Sequence, residues 1–96
     1  MNLLKIILVS LILSSNVNAA ELLPFPEHER RTIPNSERKA LIQFANKMQR
    51  LACTSLSEVR DGLRTRVKNS RTSSDRRYYN QRLRIVINVR NQKNCK

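Results

Sequence analysis

Residues 75–91, DRRYYNQRLRIVINVRN, decide the fold of this chain because they admit two periods. Read in steps of two, Leu83, Ile85, Ile87 and Val89 alternate with Arg84, Asn88 and Arg90, as in a strand with one face buried. Read in steps of three and four, Tyr79, Leu83, Val86 and Ile87 form one stripe of a helix. A strand needs a partner, and no other segment carries a strand pattern, so helix is the better reading. Were 82–90 a strand, it would pair with a second copy, and that homodimer would have to cover a β-branched edge prone to aggregation.

Upstream of this stretch the helical pattern repeats. Asn69 to Ser74 is rich in Ser and Thr and reads as a loop, and Thr72 with Asp75 has the spacing of a capping pair that opens a last helix reaching about Asn91. Ser55 and Glu58 have the same spacing and predict a restart there, with Leu56, Val59, Leu63 and Val67 on a narrow stripe weakened by Gly62. An Asn35-Ser36 cap before Glu37 opens the clearest helix, whose Leu41, Phe44, Ala45, Met48, Leu51 and Ala52 recur on one face. Before it, Pro24, Pro26 and Pro34 punctuate an extended arm, residues 20–34, whose Leu22, Leu23 and Phe25 are free to dock on the body. The expected fold is all-α: a small helical hairpin or three-helix domain over 35–96, behind an extended arm.

Residues 1–19 read as a cleaved secretory leader, with Lys5, an apolar run from Ile6 to Leu13, and Val17, Asn18 and Ala19 before the cut. The apolar run is too short to span a bilayer, which takes about 20 residues. The expected location is therefore secreted, and periplasmic if the source is bacterial or a phage. In such a compartment Cys53 and Cys95 have one intramolecular pairing open to them. The apolar residues available to a core are few for the length to be ordered, so a disulfide or a partner must supply the margin. If the last segment is a helix, that bridge locks the first and last helices antiparallel.

Catalysis finds few candidate groups in this sequence. The only histidine, His28, lies between Glu27 and Glu29 in the arm, and beyond the start of the first helix only Glu58, Asp61 and Asp75 carry carboxylates. No nucleophile with a base, no paired carboxylates and no second pair of metal ligands can be assembled, so neither an enzyme nor a metal or other cofactor is expected. A single Gly leaves no Gly-rich phosphate loop.

Charge says more. The chain carries a formal net charge of +12, and it is unevenly placed. Between Ala20 and Cys53 six basic residues face four acidic ones, whereas from Thr54 to Lys96 twelve face three, and nine of those twelve are arginines. Arginine suits planar, bidentate contact with carboxylate or phosphate. On a helix Arg60, Arg64, Lys68 and Arg71 follow steps of four, four and three along one side, and Arg77 and Arg84, seven apart, align in the last segment. Tyr78 and Tyr79 follow Arg76 and Arg77 directly, interleaving rings with cations. These six basic residues are the candidate site for an anionic partner. The leading expectation is a non-enzymatic binding protein that docks an acidic surface of an envelope or extracellular protein as an inhibitor, assembly or regulatory factor. The alternative is a polyanion binder, for nucleic acid, lipopolysaccharide or an anionic membrane surface, with an antibacterial consequence.

Overall fold

The computed structural model describes residues 23–96, so the expected leader and Leu22 lie outside the described residues. Four helices follow one another: α1 (Glu27–Thr32), α2 (Asn35–Gln49), α3 (Cys53–Lys68) and α4 (Ser73–Gln92), with no strand among the described residues. The all-α class holds, and with it the helical reading of the last segment. A homodimer built on strand pairing loses its premise.

Helix α4 is the centre of the molecule. α3 packs along one side of it, α2 along another, and the arm lies on a third, where the Arg84 guanidinium meets Pro24 and Glu29. A helix covered from three directions buries residues at most angles, and none of residues 81–90 is exposed. Neighbours such as Ile85 and Val86 are both completely buried. This all-round burial blurs the helical period until it resembles alternation. It also shifts the expected stripe: of Tyr79, Leu83, Val86 and Ile87 only Val86 is fully buried, and the buried residues are Gln81, Ile85, Val86 and Val89. Gln81 is the buried polar residue of this face, and its Oε1 has no hydrogen-bond partner among the described residues.

The helix ends follow the backbone more than the expected caps. Pro34, with φ −59° and ψ 152°, is the N-cap of α2, and its carbonyl accepts from the Arg38 amide at 2.8 Å. Asn35 and Ser36 thus lie inside the first turn, one to two residues past the position predicted for them. Leu41, Ala45 and Met48 are buried as the stripe requires, and Phe44 and Leu51 pack half-buried against them. Ala52 is exposed because α2 has already ended and Ala52, extended at ψ 161°, serves as N-cap of α3. The Ser55–Glu58 box is not used as a start, since α3 opens two residues earlier, at Cys53. Only at Thr72 does the predicted cap form, its Oγ1 accepting from the Asp75 amide at 3.0 Å.

The arm is not extended throughout. Pro26, at φ −60°, caps the short helix α1, its carbonyl accepting from the amides of Glu29 and Arg30. Glu27 and Glu29 occupy the first turn and Arg30 and Arg31 the last, the charge order a helix dipole favours. Arg31 also pairs with Glu27 one turn away at 2.9 Å. The arm docks as its apolar residues allow: Leu23, Phe25 and Ile33 all join the core.

Cys53 and Cys95 are bridged, with Cα atoms 5.6 Å apart. The bridge joins the first residue of α3 to the turn after α4, so it closes the α3–α4 hairpin rather than tying α2 to α4. Asn94 turns the chain there in the left-handed region at φ 57°, and Lys93 Nζ donates to the Leu51 carbonyl at 2.7 Å. This stapled end is the base of the hairpin. Among the described residues every buried one lies in 23–56 or 81–89, and residues 57–80, the outer part of the hairpin, contain none.

Candidate functional site

The outer part of the hairpin is where the positive charge collects. Between Arg64 and Arg77, through the end of α3, the 69–72 link and the first turn of α4, there are six basic residues and one acidic, Asp75. Arg64, Lys68, Arg71, Arg76 and Arg77 are exposed, and their side chains make no hydrogen bond or ion pair among the described residues. Arg66 and Lys68 sit at the carbonyl end of α3, where cations are favoured. Arg76 and Arg77 do not. They crowd the positive end of α4, against both the helix dipole and each other.

The expected binding residues divide into two groups. Arg64 and Lys68 stand on one exposed side of α3, one turn apart, as their spacing requires. Arg71 joins them at the tip, but from the link and not from the helix. Arg60 is held inward, 21% exposed, on Asp61 at 3.0 Å. Arg77 and Arg84 do share a face, and it is the one turned to the arm. Arg84 is half-buried there: one terminal nitrogen reaches Glu29 Oε1 at 2.7 Å, the other the Pro24 carbonyl at 3.2 Å, and the guanidinium lies over the Phe25 ring, 4.6 Å from its centre. It clamps the arm to α4 and is not available to a partner. Arg77 lines a cleft of about 380 Å³ with Glu29, Ile33, Glu37 and Gln81 but makes no ion pair there among the described residues.

Two further arginines were not singled out by charge spacing. The Arg82 guanidinium stacks 3.6 Å from the Tyr78 ring centre, donates to the Tyr78 carbonyl at 3.2 Å and lies 5.9 Å from the Phe44 ring of α2. Arg66 crosses from α3 to Tyr79, with a 3.4 Å contact to the hydroxyl and 5.6 Å to the ring centre. The two tyrosine rings meet edge to face at 5.1 Å. A continuous series of ring and cation contacts therefore runs from α2 over α4 to α3. The pairing of Tyr78 with Arg82, four residues apart on a helix, was open to a reading of the sequence; that of Arg66 with Tyr79, thirteen apart across a loop, was not.

Beside this series, α3 and α4 enclose an open groove of about 700 Å³, lined by Gly62, Thr65, Arg66, Arg71, Asp75 and Tyr79 among others. A Cβ placed on Gly62 would meet nothing within 4 Å. The chemistry available is recognition of anions by guanidinium groups beside aromatic rings. His28 is exposed on α1, and among the described residues no three His, Cys, Asp or Glu side chains gather as metal ligands would. No helix among them is long and apolar enough to cross a membrane. Compared with protein-family models, with curated proteins and with solved structures, the chain finds no match in any of the three.

Proposed function

We propose that this is a secreted, non-enzymatic binding protein whose hairpin tip docks an acidic surface of another envelope or extracellular protein. The observation that carries the reading is the set of five exposed cations, Arg64, Lys68, Arg71, Arg76 and Arg77, with no side-chain partner among the described residues. Such crowding opposes folding, and an anionic partner offsets it. The disulfide, the clamped arm and the packed base hold the tip as a preformed projection, which lowers the ordering cost of association. The apolar leader of residues 1–19 and the bridged cysteines support export.

A polyanion such as nucleic acid is the competing occupant, and Tyr78, 48% exposed and backed by Arg82, is the observation in its favour. Binding of a glutamate homopolymer and of a single-stranded oligonucleotide, each measured against salt, separates the two. The reading expects polyglutamate to bind, and the joint reversal Arg64→Glu, Lys68→Glu and Arg71→Glu to lower that affinity at least about tenfold with an unchanged melting temperature. Preference for the oligonucleotide, with a log-log salt slope near −0.7 per phosphate, assigns the tip to nucleic acid instead. Binding that survives the triple reversal removes the tip from recognition altogether.

A further inference from the structure

Tyr78, Ile85 and Val89 lie on one face of α4, since steps of seven and four return to the same side of a helix. Their fates differ: Ile85 and Val89 are 0% and 1% exposed, Tyr78 48%. Toward the base that face is covered by α2, whose Phe44 ring contacts Arg82. α2 starts at Asn35, and its first turn, through Glu37, is already level with Arg77 and Gln81. Past that level nothing in the described chain continues the third helix. The groove adjoins this face, because its α4 wall includes Asp75, three residues before Tyr78, as well as Tyr79.

We infer that the groove seats an acidic amphipathic helix of the partner protein, which takes beside the tip the place that α2 holds beside the base. The inference rests on the proposed function and names the element of the partner that the tip receives. Charge complementarity fixes its sign: the guanidinium groups of Arg66 and Arg71 line the groove against the single carboxylate of Asp75. The exposed Tyr78 and the half-buried Tyr79 supply the apolar contact, which polyglutamate lacks. Gly62 supplies the approach. Helices pack at 8–10 Å according to the side chains between them, and a residue with no side chain in the groove's lining admits the closer distance. Within the free protein this glycine has no evident purpose. It costs α3 helix propensity relative to alanine, and the open space around it shows that no neighbour excludes a larger residue. Asp75, the one carboxylate of the groove, sets a position where the bound helix carries a donor and so gives it a direction.

The test uses the oxidised chain and two probes of equal length, about twenty residues each: a helical peptide with leucine along one face and glutamate on the others, and a glutamate homopolymer. Fluorescence anisotropy compares the parent with Gly62→Leu and Gly62→Ala. The parent should bind the amphipathic peptide about tenfold more tightly than the homopolymer. Gly62→Leu, which fills the space a helix needs, should remove that advantage and leave homopolymer binding unchanged. Gly62→Ala should give a smaller loss with a higher melting temperature, showing that the loss does not come from unfolding. Equal affinity of the parent for both probes, or an advantage that survives Gly62→Leu, overturns the helix seat while the proposed function stands. If neither probe binds the parent, the proposed function fails and this inference falls with it.

Discussion

The two ends of the α3–α4 hairpin are built on different terms. At the base, a disulfide, the α2 stripe and three residues of the arm surround α4, and the charged groups there are engaged: Arg84 on Glu29, Lys93 on the Leu51 carbonyl. At the tip no residue from 57 to 80 is buried, and five cations have no side-chain partner among the described residues. One pair of helices thus passes from a region where burial and pairing agree to one where local preferences are broken. Departures of that kind concentrate where function competes with stability. The base is what allows the tip to carry its charge: once the helices are fixed at one end, the other tolerates repulsion that an isolated hairpin could not.

The largest expected effect tests whether the base alone sets the stability. Replacing both cysteines, Cys53→Ser with Cys95→Ser, opens a loop whose ends are 42 residues apart, and the chain-entropy account puts the cost at about 4 kcal/mol. Urea unfolding should show most of the stability gone. An unchanged midpoint would mean that packing at the base suffices without the staple.

A finer test compares one deletion at both ends of the same face. Leu56 and Leu63 are two turns apart on α3; Leu56 is completely buried and Leu63 only partly. Leu56→Ala should cost about 2 to 5 kcal/mol, and Leu63→Ala about 1 kcal/mol, because the cavity at Leu63 is already open on one side. Equal costs, read from the same urea curves, would show that the tip holds a core of its own and would erase the distinction.

The class of fold was legible in the sequence because periodicity and cysteine count survive without tertiary information. Leu41, Ala45 and Met48 repeat at helical spacing whatever they pack against. Two cysteines have one intramolecular pairing open to them, and that bridge forms. The segment around Val86 was harder for a physical reason: a helix buried from three sides loses the polar stripe that identifies it. Helix α1 was hidden by its prolines, which read as breaks although Pro26 presets the backbone that starts a helix. The candidate site was legible only as charge. Spacing placed Arg64 and Lys68 correctly on one side, but no local pattern announces that Arg84 will meet Glu29, 55 residues away, or that Arg71 falls outside the helix. A long-range partner is what separates a structural arginine from a free one.

The smallest expected effect is also the sharpest statement of the difference between the ends, because its sign reverses between them. Arg76 lies in the first turn of α4 beside Arg77, exposed and without a side-chain partner among the described residues. Its charge faces the positive end of the helix dipole and a like neighbour, so Arg76→Glu should raise stability by about 0.3 to 1 kcal/mol at low salt, and the gain should shrink as salt screens it. At the base the same reversal, Arg84→Glu, sets a carboxylate against Glu29 and the Pro24 carbonyl, and the melting temperature should fall. A tip variant that is more stable yet binds polyglutamate less well would show that the charge is kept there for recognition and against the interest of the fold. If Arg76→Glu instead destabilises the chain, the tip depends on its cations for folding, and the two ends of the hairpin obey the same rule after all.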